Sequence, residues 1–510
     1  MYRENHQIHM FEILMEDTFT LDTNNRWVKK ARMVPWDKAE EKYKHMFQKH
    51  GRPAKSIRMA LGALLIQQTL ETSDEETLEQ ITENPYLQHF IGLTKFTNQP
   101  PFDASLMVWF RKRLTAKFLA EINREMTRKA AMPPAEQIEP SPQIQDDAED
   151  RNKDDDDGIG GGEGSQADDA QSDVCDDDQL SHGGRMILDA TCAPADIAYP
   201  TDTGLLADAV EKSDALIDVL HAPHRGQRRR PRTYRILSRK TYTRFARNRK
   251  PHKRQIRTAK RKLLGFLNRN LAIIQTLVAE GGRLTERQKA RLRVLDKVYE
   301  QQKYMYDAKT HSVQDRIVSI SQPHIRPIVR GKASASVEFG AKIDAFTVHG
   351  YVFLSEIRFD AFNEGSLLEN AIMEYVGHFG MLPNEILADR AYQTRENRQL
   401  CNKLGVRLMG RPPGRPPRNP NPDIDHAADN ARRNLIESRF GILKTCYGWR
   451  RVRARLVDTT MACIAVAALA FNLSRLLARF FFIAFCPVLF RSAASLSALD
   501  LFRAQSVFVQ

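Results

Sequence analysis

Met186-Ile187-Leu188-Asp189-Ala190-Thr191 is a short apolar run that ends on a carboxylate. The run reads as a buried strand. A charge inside an apolar strand is costly unless it is paired or bound to a metal ion, so Asp189 is hard to explain as structure alone. A second run, Glu385-Ile386-Leu387-Ala388, leads into Asp389. An acid at the end of an apolar strand lies where open α/β sheets gather ligands. It could equally cap the helix that begins near Thr394, and the residues leave both readings open. A third acid stands in Arg433-x-x-x-Glu437-x-x-x-x-x-x-Lys444. Steps of one and two helical turns put these three side chains on one face. A surface ion-pair ladder has the same spacing.

Working outward, residues 1–135 read as helical. Ile57, Leu61, Leu64 and Leu65 recur at helical spacing, and Ser73 with Glu76 forms a capping-box signature. Asn84-Pro85 closes that helix. Asp103 is placed to cap the next, which carries Leu106, Phe110 and Leu114 beside Arg111, Lys112 and Arg113. A small helical domain presenting a basic helix is a candidate DNA reader. Residues 136–184, with four aspartates at 154–157 and Gly160 to Gly162, read as an acidic disordered linker.

A helical insertion is expected at about 225–316, where Leu263, Leu267, Leu271, Ile274 and Leu277 share a face. Thr285 and Gln288 form a second capping box. Val337, Phe339, Ala341 and Ile343 alternate with polar residues, and so do Phe346 and Val348. His349-Gly350 then gives a hairpin turn into a strand from Tyr351. Asn363-Glu364 opens a helix, Leu404 to Leu408 reads as a further strand, Pro412 to Pro422 is a basic proline-rich loop, and the pattern is helical again from Asp429. The apolar stretch from Met461 to Phe490 is interrupted by Arg475 and Arg479, so a buried C-terminal helix is expected there rather than a membrane span. Residues 481–510 form an apolar tail.

The net charge is +14 and the pI about 9.4, which favours a polyanionic partner. The charge is local. Arg225 to Asn270 holds 19 Lys or Arg and no acid, whereas Asp146 to Asp178 holds 15 acids against Arg151 and Lys153. The six cysteines include no C-x-x-C pair. A reducing cytoplasm fits that usage, and the polar Met1–Met10 is not expected to act as a signal region.

Three carboxylates suit one kind of chemistry. Two Mg²⁺ ions, with Mn²⁺ an acceptable substitute, activate an attacking oxygen and receive a leaving one at a phosphodiester. Hard cations take oxygen ligands. The absence of C-x-x-C or H-E-x-x-H spacing weighs against zinc, and the absence of a P-loop weighs against an ATP-driven motor.

Several blocks, in order, resemble bacterial insertion-sequence transposases of the DDE type, in the insertion-sequence-five superfamily. They are Asp189-Ala-Thr-Cys-Ala-Pro-Ala-Asp196-Ile-Ala-Tyr-Pro-Thr-Asp202; Ile317 to Lys332; Val337 to Lys342; Leu387-Ala-Asp389-Arg-Ala-Tyr; and Arg433-Asn-Leu-Ile-Glu437 with Lys444. Phe102 to Leu114 is similar to the family's helical N-terminal domain. The resemblance spans about residues 50–480.

The resemblance implies an RNase H-like α/β core over 185–480, a mixed sheet flanked by helices. It implies metal-dependent cleavage at element ends and strand transfer into target DNA. Asp189, Asp389 and Glu437 become the catalytic metal ligands. Arg433, Lys444, Arg390 and Lys332 become expected DNA contacts, joined from the basic segment by Arg228, Arg229, Arg230, Lys253 and Arg254. The implied partners are double-stranded DNA (terminal inverted repeats and target) and a second copy of the chain, with no membrane and a nucleoid-associated cytoplasmic location. Related sequences often carry Tyr three residues before the Arg, where this chain has Asn430; that implies altered surroundings for the site rather than its loss. The residues after Phe480 are more apolar than the family implies. Two alternatives stay open: a DNA-binding descendant that does not cut, and a nuclease that cuts without joining.

Overall fold

A computed structural model describes residues 21–47, 53–132, 138–139, 180–332, 335–410 and 426–492. Most of the expected linker, the Pro412–Pro422 loop and the end of the expected tail lie outside them.

Among the described residues seven helices come first: α1 (Arg26–Met33), α2 (Trp36–Lys44), α3 (Ile57–Leu70), α4 (Asp74–Glu83), α5 (Pro85–Phe90), α6 (Leu106–Arg113) and α7 (Ala116–Ala131). Their ends follow from local chemistry. The Ser73 hydroxyl accepts the Glu76 N–H at 3.1 Å and starts α4. Asn84 closes α4 and its side chain caps α5, with Pro85 at the first helical position. Asp103 does not cap α6 itself; it accepts the N–H of Ser105, the residue before the helix.

Strand β1 (Arg185–Pro194) follows, then a helical unit of α8 (Asp202–His221), α9 (Arg235–Ala246), α10 (Lys253–Ala279) and α11 (Glu286–Asp307). This unit has a separate apolar core that includes Leu206, Ile217, Leu267, Ile274 and Val298. The expected insertion boundary near 225 falls inside it, because α8 contributes to that core. Asp202, at the first turn of α8, accepts from Gln302 at 3.0 Å and Arg316 at 2.6 Å and pairs with Lys260, so one carboxylate ties the unit together.

The chain returns as β2 (Pro327–Lys332), β3 (Ala335–Val348) and β4 (Tyr351–Arg358), then α12 (Leu368–Phe379), β5 (Glu385–Ala388), α13 (Arg395–Lys403), β6 (Arg407–Met409), α14 (His426–Cys446) and α15 (Val457–Ser492). β1 is central. It pairs antiparallel with β3 and parallel with β5, which pairs parallel with β6. The other edge of β3 is shared, by β2 along its first part and β4 along its second. The result is a mixed sheet with helices on both faces, the RNase H-like architecture expected. β3 and β4 join through His349 and Gly350, both at positive φ (50° and 81°), the conformation that two-residue hairpins require. Gly340 lies so close to β1 that a Cβ would meet the Ala193 carbonyl oxygen at 2.2 Å, so only glycine fits. The strand expected over 404–408 starts late: Gly405 turns at φ 66°, and β6 begins at Arg407.

Strand alternation sorts the core. Ile187, Ile343, Ala345 and Leu387 face α14 and α15; Met186, Leu188, Phe346 and Ile386 face α12 and α13. The N-terminal helices do not stand apart, since Leu61, Leu65, Phe118 and Ile122 join the same core as Ile436, Leu469 and Leu473. α15 runs through that core. Val457–Phe480 is long and apolar enough to cross a membrane, but most of it is buried within the protein, as the sequence reading expected.

One buried amide pins α15 in place. Asn472 donates to the Val352 carbonyl at 2.7 Å and to the Asn123 side chain at 2.9 Å, and accepts the Val352 N–H at 2.9 Å. Replacing it strands a buried donor and acceptor, each costing about 1–3 kcal/mol. Asn472→Ala is therefore expected to lower unfolding stability by about 3 kcal/mol in urea titration, and a loss under about 1 kcal/mol would show that the amide does not hold the helix.

Candidate active site

Leu188 on β1 and Ala388 on β5 are register partners. The next residues, Asp189 and Asp389, therefore stand side by side; β1 runs on past Asp189 to Pro194, further than the apolar run suggested, whereas Asp389 directly follows the end of β5. Asp189 shares the alternation of Ile187 and faces α14. Burial pushes its carboxyl up to about 6; the neighbouring charges of Asp389 and Glu364 add to the rise, while the Ala190 N–H and Arg433 oppose it. Asp389 is exposed and accepts the Arg390 N–H at 2.7 Å, capping the one-turn helix Arg390–Tyr392. Thr394 caps α13 in its own right.

α14 packs across β1 and β5. Its Arg433 lies 3.7 Å from Asp189 and 3.4 Å from Glu437. One guanidinium thus links two of the three expected carboxylates, and Glu437 is itself largely exposed. Among the described residues, no three His, Cys, Asp or Glu side chains stand close enough to hold one metal ion. Asp189 and Asp389 fit a divalent cation as a pair: both offer hard oxygen donors, and a cation between them would offset their repulsion. Glu437 is separated from the pair by Arg433.

The expected DNA contacts divide. Arg390 is exposed beside Asp389. Lys332 ends β2. Lys444 lies two turns beyond Glu437, lining a cavity against the N-terminal helices. In the basic segment Arg228 pairs with Glu280 at 2.5 Å and Arg230 with Asp218 at 2.7 Å, while Lys260 and Arg235 are also paired. Those cations brace the helical unit. Arg229, Lys253 and Arg254 are exposed, with no ion pair among the described residues. The cations of α6 are also engaged: Arg111 grips Asp74, Lys112 lies over Trp109, and Arg113 lies over Phe47.

Two acidic neighbours of the site, Asp344 and Glu364, were not singled out by the sequence reading. Asp344 on β3 is opposite Ala190 and fully buried. Burial pushes it up to about 7, with Glu364 and Asp189 adding and the Tyr392 and Ser355 hydroxyls opposing. One of its oxygens accepts from the Tyr392 hydroxyl; Oδ2 has no hydrogen-bond partner among the described residues. Glu364 pairs with Lys342 at 2.8 Å. The signal for Asp344 was present, an acid between Ile343 and Ala345, the same pattern that singled out Asp189.

Two family matches bear on these elements. Residues 16–113 match the family described as "Transposase domain (DUF772)", and residues 386–474 match "Transposase DDE domain". The second span holds Asp389, Arg433, Glu437 and Lys444; Asp189 lies outside both. The chain is also 36% identical over 95 residues to a Rhizobium meliloti protein described as "Uncharacterized protein ORF8 in nfe locus". That alignment covers 19% of this chain and 46% of the relative, so the chain spans about half the length of the curated relative it matches. No solved structure matches.

Asp344 makes stability depend on pH. In the fold it keeps its proton up to about pH 7, whereas in the unfolded chain it loses it near pH ~4. Within that window the folded state binds more protons, so stability falls as pH rises. Asp344→Asn is expected to flatten this slope, matching wild type near pH 4.5 and exceeding its thermal midpoint at pH 8. Parallel slopes for the two proteins would refute the assignment.

Proposed function

We propose, from the premise that the chain belongs to the DDE-type insertion-sequence transposases, that it cuts DNA at element ends and joins those ends to target DNA. The reading rests most on one observation: Asp189, within β1, adjoins Asp389 at the end of the paired β5, and α14 packs across those strands carrying Arg433 and Glu437.

In this reading Asp189 and Asp389 hold Mg²⁺ or Mn²⁺, and Glu437 completes the set. When bound, the cation supplies the positive charge that activates an attacking oxygen and stabilises the leaving 3′ oxygen. The chain's own groups do the rest. The parallel strands fix the two acids with little freedom to move apart. Arg433 holds a charge next to Asp189 that suits a phosphate oxygen. Arg390, Lys332 and Lys444 are assigned to the DNA backbone around the reacting bond, and Arg229, Lys253 and Arg254 to more distant phosphates. Such contacts position the duplex without reading its sequence. Two ends must be held together for joining, so the working form is a homodimer or larger on DNA, in the cytoplasm with the nucleoid.

The test uses DNA carrying the element's own terminal repeats. Wild type is expected to cut and join it with Mg²⁺. Asp189→Asn, Asp389→Asn and Glu437→Gln should each bind it but lose several kcal/mol of transition-state stabilisation, on the order of 10³-fold in rate. Cutting by a variant at the wild-type rate would remove that residue from the set. Binding by wild type without cutting would leave a DNA-binding protein in place of a transposase.

A further inference from the structure

After α14 the chain turns at Gly448 (φ 75°) and runs extended against the end of β1. The Val452 N–H donates to the Pro194 carbonyl at 2.8 Å, and the Val452 carbonyl accepts the Asp196 N–H at 3.0 Å. Alternation buries Val452 and turns Arg451 and Arg453 outward; Arg450 and Arg455 are exposed too. The segment Arg450-Arg451-Val452-Arg453 forms one wall of a cavity of about 750 Å³. The N-terminal helices form the facing wall, with Gln68 and Arg111, and Lys444 contributes from α14.

The acids in this lining are already engaged. Asp74 accepts both arms of Arg111, at 2.8 and 2.5 Å, and Glu71 accepts the Gly448 N–H at 2.8 Å. Arg451 is paired with Asp196. Arg450 and Arg453 have no ion pair among the described residues. The cavity is therefore cationic in its unsatisfied groups, and guanidinium forks match phosphate oxygens in pairs. It also lies close to the carboxylates. Seven residues of α14 separate Glu437 from Lys444, about 10 Å of helix, or about three base pairs of duplex.

We infer that this cavity between the N-terminal helices and the 448–455 segment binds backbone phosphates of the DNA flanking the reacting bond, with Arg450 and Arg453 as their ligands. The inference rests on the DNA-cutting reading above. It gives the N-terminal helices a role as one wall of a strand-holding groove.

The experiment measures affinity for a short duplex by fluorescence anisotropy over a salt series, in EDTA so that no cutting intervenes. Arg450→Gln/Arg453→Gln is expected to keep the wild-type thermal midpoint, because neither side chain has an ion pair to lose. Losing two phosphate contacts should make the slope of log K against log salt shallower by about 1.8. Arg450→Lys/Arg453→Lys, which keeps both charges, should retain the slope, so it guards against misfolding as the cause. If wild type binds DNA and the Gln variant has an unchanged slope, this inference fails while the transposase reading stands. If wild type binds no duplex at all, both fail.

Discussion

A carboxylate largely buried within a central strand is unfavourable unless positive charge is brought to it, and Asp189 imposes that condition on everything around it. Desolvation and the neighbouring Asp389 both act against its ionised form. The fold answers with Arg433, delivered by a helix that must lie across β1 and β5 to reach it. That helix in turn buries Ile436, Phe440 and Leu443 against the sheet. The position of α14 is thus set by apolar packing on one side and by charge compensation at its first turns.

The same helix links the sheet to the N-terminal bundle. Ile436 and Leu443 share a core with Leu61, Leu65 and Ile122, and α15 lies against α3 and α7. The two family spans, one near each end of the chain, therefore meet in one apolar interior. The helical unit of α8 to α11 is the contrast. It encloses its own core and is braced by Asp202, Asp214 and Asp218 against four cations, Arg230, Arg235, Lys260 and Arg316. Its basic composition serves packing as well as any partner.

Much of this was legible in the residues. Short apolar runs ending on Asp189 and Asp389 declared two strands, and His349-Gly350 declared a hairpin, because each is a local signal with a local cause. Asp344 was harder. In β3 both faces are buried, so the apolar alternation passes from odd positions to even ones, and the acid at 344 sits where the two patterns overlap. The pairing of Arg228 and Arg230 was invisible for another reason: their partners, Glu280 and Asp218, are distant in sequence, and a run of cations does not reveal which are engaged. The arginines at 450–455 were passed over because the run is short. Its significance comes from being laid along β1.

The shared core has a consequence in time. Helices α1 to α7 present an apolar surface whose cover, α15, is made about 350 residues after α7 ends. At about 5–20 residues per second, that surface waits roughly 20–70 s on the ribosome before its partner emerges. During that interval the nascent chain depends on a chaperone or on transient self-contact.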